Sequence, residues 1–259
     1  MTRLTDFAYA QARQQTRHGA LPSPALWQRL EASVSLAHFL QSARKSVLRS
    51  WLYNIGPHSS AVEIELALRA ELRHQIEAVA AWQPGPWRAA ARWTRVLCDL
   101  PAVDHLLRGE PARPWMREDR WLQPLALDAP VAARVQALVE TPYAPLGGQC
   151  PANSGLADAW IDHWRSLWPT ASPAERDSLE MLVSVVAEYY RVLASGEAIG
   201  SARAREALES RLRRAVRHHT HEPAAAYLHL ALVALNLERL RGALIRRQLF
   251  PPTRPERAA

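Results

Sequence analysis

The closing stretch from Ala224 to Phe250, AAAYLHLALVALNLERLRGALIRRQLF, restricts the possible folds more than any other part of this chain. From Tyr227 to Leu237 almost every residue is apolar, so a helix here must be buried on nearly all sides. Pro223 suits the first position of that helix, where a missing N–H costs nothing. From Glu238 onward the pattern turns amphipathic. Leu240, Ala243, Leu244 and Leu249 share one side, and Arg239, Arg241, Arg246 and Arg247 are spread through the same half. The apolar run is too short, and too soon charged, to cross a bilayer. It reads as an anchor whose second half presents a basic surface.

Upstream, helix signals recur with little interruption. The spacing predicts a helix over 5–17, with Phe7, Ala8, Ala12 and Leu4 available for an inner face. Ser23-Pro24 starts a second, and Ser35 opens a third with Leu36, Phe39, Leu40, Ala43 and Val47 on one face. Ser60 and Glu63 form a capping box. The helix that follows carries Ile64, Leu68, Leu72, Ile76 and Val79 as its apolar stripe, with Glu65, Arg69, Glu71 and Arg73 as a wet face. Pro86 begins another, with Trp87, Ala90, Trp93 and Leu97 inward, and Pro101 to Arg108 forms a short one stopped by Gly109. Residues 110–130 read as an ordered connector with Trp115, Met116, Trp121 and Leu125 available to pack. A helix over 130–140 precedes the loop TPYAPLGGQCPANSG at 141–155. Beyond it lie a tryptophan-rich helix, a second capping box at Ser172 and Glu175, a helix carrying Leu179, Leu182, Val183, Val186, Tyr190 and Leu193 to a stop at Ser195-Gly196, and an arginine-rich helix over 201–217. No segment alternates as a half-buried strand does. The fold class is all-α, a lobed multi-helix bundle. Its N-terminal part covers 1–140, the loop boundary 141–155, the C-terminal lobe 156–250, and a flexible tail 251–259.

The chemistry sought along the chain is mostly missing. Gly147-Gly148 lacks the lysine and hydroxyl of a phosphate-binding loop, and there is no nucleophile elbow. Cys98 and Cys150 stand in no metal or redox spacing, which fits a reducing cytoplasm. His218, His219, His221 and Glu222, with His229 nearby, form the densest ionisable cluster, but a turn cannot bring them to one helix face as metal ligands. Asp99 and Asp104 flank Pro101 as helix-capping residues, and Asp158 and Asp162 read as a solvated face near a helix start. No cofactor or metal site follows, and an enzyme is not indicated. The formal charge is +7 and Lys45 is the only lysine. A skew towards arginine fits carboxylate or phosphate recognition, and genomic base composition also produces it. Of the two basic patches, the first (Arg211, Arg213, Arg214 and Arg217) is interleaved with Glu206 and Glu209, and no helix-turn-helix or other recognition module stands out, which disfavours nucleic acid as a partner.

Four stretches resemble the C/d family of central-stalk socket proteins in V-type and A-type ATPases. They are FAYAQARQQTRHGALPSPALWQRLEASVSLAHFLQSAR near the start, VEIELALRAELRHQI at 62–76, the helix over 178–193, and AAYLHLALVALNLERLRGALIRRQLF at the end. In that last stretch the resemblance implies an apolar helix, a charged turn and a final helix. It further implies a pseudo-threefold, funnel-shaped, non-catalytic socket that couples the central shaft to the membrane rotor ring. The seat would be peripheral, on the cytoplasmic face of the inner membrane, with other ATPase subunits as partners. The chain is short for three full lobes, and residues 110–130 have no counterpart in the family. The partner-contact candidates are Arg239, Arg241, Arg246 and Arg247. The other reading is a basic all-helical protein- or nucleic-acid-binding adaptor unrelated to ATPases.

Overall fold

The computed structural model describes residues 3–149, 155–194, 198–220 and 222–251, with side chains for these except 3–6, 148–149, 189–194 and 198–204. Cys150, the Ser195-Gly196 stop, His221, residues 252–259 and the side chains of Leu4, Tyr190 and Leu193 lie outside the described residues. Every regular element described is helical, so the all-α class holds.

Local chemistry sets the boundaries. After α1 (Arg3–Gly19), Ser23 accepts the Leu26 amide and Pro24 occupies the first position of α2 (Pro24–Glu31). Ser35 does the same for the His38 amide at the start of α3 (Leu36–Ala43). That helix ends at Ala43, so Val47 falls off the predicted stripe and is exposed. In α4 (Ala61–Trp82) the Ser60–Glu63 capping box is complete, with bonds of 2.7 and 3.2 Å. Next come α5 (Arg88–Leu97) and α6 (Leu100–Leu107). Gly109 follows α6 at φ +84°, a left-handed conformation that glycine adopts without strain. The connector contains α7 (Pro114–Glu118) and leads to α8 (Val131–Leu138). Within the expected loop, Tyr143 and Leu146 are fully buried and 144–149 form 3-10 turns. The remaining helices are α9 (Leu156–Ser166), α10 (Pro173–Ala194), α11 (Ala198–His218) and α12 (Ala224–Leu249). The second capping box caps α10, with Ser172 and Glu175 exchanging bonds of 2.7 and 3.3 Å.

α12 is the axis around which the others pack. It lies most extensively on α4, and also against α11, α10, α1, α3 and α5. From Tyr227 to Leu237 only Ala231 and Ala234 escape full burial. The helix runs unbroken through Glu238, where the family resemblance implied a charged turn. Leu237, Leu240, Ala243 and Leu244 are all buried, and this continued stripe gives the backbone no reason to turn. Buried residues from Phe7 in α1 to Leu244 in α12 belong to one apolar cluster. Across the 141–155 segment, the Trp93 indole donates to the Trp160 carbonyl at 3.1 Å, and the Trp160 indole returns a bond to the Trp93 carbonyl at 3.4 Å.

One polar residue of the α12 core has no partner. Both ring nitrogens of His229 are buried without a hydrogen bond, and the ring packs edge-on to His18 of α1 at 6.5 Å. Burial, with His18 and Arg17 close by, pushes its imidazole from 6.5 down to about 4. Between those values the unfolded chain binds a proton that the folded chain refuses. Stability is therefore complete above about pH 6.5 and falls as the pH drops towards 4, by at most about 3 kcal/mol. Burial also lowers His18, which acts in the same direction. Urea titrations from pH 7 to pH 4 should show this slope, and His229→Leu should remove most of it.

Candidate functional site

Three residues of α4 (Glu65, Arg69 and Arg73) repeat every four positions and so line one face of the helix. The sequence pattern places that face in water, and the structure corrects it. Glu65 is buried, and Arg69 and Arg73 are largely covered. The face looks onto a connector rather than solvent. Arg69 Nε meets Glu65 Oε1 at 2.7 Å, and its Nη1 meets Asp99 Oδ1 at 2.5 Å. Arg73 contacts Asp99 Oδ2 at 3.3 Å and Asp119 Oδ2 at 2.8 Å. The Tyr143 hydroxyl donates to Asp99 Oδ2 at 2.9 Å. From α12, Arg241 Nε donates to Glu65 Oε2.

These contacts also overturn the expected capping role of Asp99. Asp99 caps nothing with its side chain and is instead a buried acceptor for two guanidiniums and a hydroxyl. Burial pushes its carboxyl above the usual range, and Arg73 and Arg69 pull it back. Burial and the adjacent Asp99 carboxylate raise the Tyr143 hydroxyl, which keeps it a donor. The neighbouring Cys98 thiol is pushed up to about 12 by burial and Asp99, so it stays protonated and weakly nucleophilic. The connector tryptophans pack beneath arginines and remain half-buried. The Arg69 guanidinium lies 3.9 Å from the Trp115 ring centre, and Arg73 and Arg95 lie 4.0 and 4.8 Å from that of Trp121. Asp119 holds Trp121 in place by accepting its backbone amide at 3.0 Å. Three carboxylates (Glu65, Asp99, Asp119) thus balance three arginines (Arg69, Arg73, Arg241) and tie together α4, α6, α7 and α12.

Glu65, Arg69, Arg73, Asp99 and Arg241 of this cluster form one side of a cavity of about 540 Å3. Leu72 and Ile76 of α4 form part of its wall, opposite Leu182 and Val185 of α10 and Leu212 of α11. Trp160 and Trp164 of α9 close another side, and Tyr227, Leu230, Ala231 and Ala234 of α12 line its length. Trp164 packs edge-on to Tyr227 at 4.8 Å and stacks on Trp160 at 5.4 Å. The lining reaches the surface at Arg108 and Arg113. Arg108 pairs with Asp104 at 2.8 Å, and Arg113 has no carboxylate partner among the described residues. The volume lies within the range of about 300–1,000 Å3 typical of small-molecule sites.

The structure separates the four arginines singled out from sequence. Arg239 is neutralised by Glu31 of α2 at 2.6 Å and stacks on Trp27. Arg241 belongs to the cluster just described. Arg246 is exposed and has no carboxylate partner among the described residues. Arg247, expected at the surface, is buried. It donates to the carbonyls of Ser33 at 2.9 Å, Ala243 at 2.8 Å and Glu31 at 3.1 Å, and packs over Phe39. It serves as the carboxyl-terminal cap of α2, satisfying carbonyls that the helix leaves open.

Among the described residues, no group of three or more His, Cys, Asp or Glu side chains is placed to hold a metal. In the histidine-rich turn, His219 Nδ1 sits 2.9 Å from Glu222, and His229 points away to α1. The buried acidic residues come from distant stretches. The four-residue spacing of Glu65, Arg69 and Arg73 is the one sequence signal that leads to them. No protein-family model matches this chain, and no curated protein matches it in sequence.

Two stability measurements separate structural from surface charge. Asp99→Ala strands two covered arginines and a buried hydroxyl and should cost about 3–5 kcal/mol. Asp104→Ala, which breaks only its exposed pair with Arg108, should cost less than about 1 kcal/mol. Arg247→Ala should lose about 2–3 kcal/mol, and Arg247→Lys should recover only part, because an ammonium cannot span several carbonyls as a planar fork does. Guanidinium denaturation midpoints at neutral pH provide the readout for all four variants.

Proposed function

We propose that this chain is a non-catalytic adaptor of a rotary V-type or A-type ATPase, joining the central shaft to the membrane rotor ring. The reading starts from the four stretches that resemble the C/d family of socket proteins. The observation that carries it is the clasp between the end of the chain and its beginning. Along α12, Asn236 accepts the Trp27 indole N–H at 3.0 Å, Arg239 pairs with Glu31, Arg241 with Glu65, and Arg247 grips the α2–α3 turn. A part that passes on torque needs stiffness more than it needs a tuned acid or base, and this clasp ties α2, the α2–α3 turn and α4 to α12. No helix among the described residues is long and apolar enough to cross a membrane, which is compatible with a peripheral seat on a ring.

The alternative, a basic protein- or nucleic-acid-binding adaptor, draws on the arginines of α11 and α12. Several of these are already engaged: Arg211 with Glu188, Arg213 with Glu209 and the Pro22 carbonyl, and Arg205 with Glu238. Pairing of this kind lowers the charge available to phosphates and favours a protein partner.

The test is to tag the full chain in its native host and purify it from detergent-solubilised membranes. Catalytic, shaft and ring subunits should come down with it, and Arg246→Glu should weaken their recovery without lowering the melting temperature. Charge reversal at Arg247 is uninformative here, since it would break the α2 cap. Recovery of the tagged chain without ATPase subunits, from cells whose rotary ATPase is intact, would overturn the adaptor role.

A further inference from the structure

The clasp leaves the cavity beside it unexplained. Its wall is mainly leucine, isoleucine, valine, alanine and aromatic surface drawn from α4, α9, α10, α11 and α12, and among its charged members arginines outnumber the carboxylates of Glu65, Asp99 and Glu238. Leu72, Ala231 and Ala234 are partly exposed parts of this wall, and covering such apolar surface removes it from water, which favours an apolar occupant. One exposed stretch of the lining is basic. Arg108 and Arg113 stand exposed on the lining, and Arg113 has no carboxylate to meet among the described residues. A guanidinium in this position is matched to a carboxylate, which it can bind with two parallel hydrogen bonds.

We propose that the cavity binds a long-chain monocarboxylate, with the acyl chain between α4, α10 and α12 and the carboxylate at Arg113 and Arg108. Size favours this occupant over the end of a partner helix. A helix with its side chains is about 10–12 Å across and rises about 5.4 Å per turn, so one turn fills roughly 420–610 Å3. A cavity of about 540 Å3 would therefore hold about one turn and little more. A flexible acyl chain can follow an irregular space and bury its whole length. The inference goes beyond the adaptor role and does not depend on it.

Trp160 and Trp164 stand in the wall, so tryptophan emission reports occupancy directly. The isolated full chain is titrated with dibromostearate, whose bromines quench nearby indoles, and bound probe is then displaced with palmitate. The expected result is saturable quenching at one equivalent, displaced by palmitate and not by its methyl ester. Ala234→Phe, which fills the wall from α12, should weaken binding at least about tenfold. The Arg108→Ala/Arg113→Ala variant should weaken the acid by about five- to tenfold and leave hexadecanol unchanged. If Ala234→Phe does not fold, Ala231→Leu intrudes less on the same wall and is read in the same titration. Linear, non-saturating quenching would overturn the proposal and leave the cavity to a partner segment. Equal displacement by the acid and its ester would also overturn it, and so would full affinity in the folded wall-filling variant.

Discussion

A guanidinium can leave water only where several oxygen acceptors lie in its plane, and this fold is arranged around meeting that condition repeatedly. Arg247 finds the open carbonyls at the end of α2, and Arg134 finds those of Leu106 and Glu110 at the end of α6, at 2.7 and 3.0 Å. Arg69, Arg73 and Arg241 find Glu65, Asp99 and Asp119. Apart from the within-helix contacts of Arg69 with Glu65 and of Arg247 with the Ala243 carbonyl, donor and acceptor come from separate parts of the chain, so the bond fixes one element against another. Lysine could supply the charge but not the planar fork. The arginine-rich composition therefore has a structural use here, whatever its origin in the genome.

The same clasp adjoins the open part of the molecule. α12 is tied to α2, to the α2–α3 turn and to α4, and its face carrying Tyr227, Leu230, Ala231 and Ala234 borders the cavity. Small residues at 231 and 234 keep that face recessed. The tryptophans serve in two ways. Trp27, Trp93 and Trp160 use their indole N–H groups as cross-chain bonds inside the core. Trp115 and Trp121 instead lie flat under arginines beside the buried carboxylates. Stiffness and an accessible apolar space thus adjoin along one helix, since Arg241 and its partner Glu65 belong to the clasp and also line the cavity.

Much of the architecture was legible in the sequence. Ser23-Pro24, Ser35, Ser60 with Glu63, and Ser172 with Glu175 marked helix starts that the structure reproduces, because a cap is decided within four residues. The apolar stripes of α4, α9 and α12 were equally readable. The failures share a cause. Glu65, Asp99 and Arg247 each look like surface residues by type and local spacing. Each is buried because a partner hundreds or tens of residues away neutralises it or supplies its acceptors, and no window on the sequence contains both.

The sequence by itself determined that this protein is all-helical, where most helices start, and that the last one lies at the centre, since those features follow from caps, periodicity and continuous apolarity. Only the tertiary structure decided that α12 runs unbroken past Glu238, that Arg247 is a cap rather than a surface cation, and that a buried arginine–carboxylate cluster stands beside an apolar cavity. The physical reason is distance along the chain. Burial of a charge depends on what the fold brings to it, and that information is spread over residues as far apart as Ser33 and Arg247.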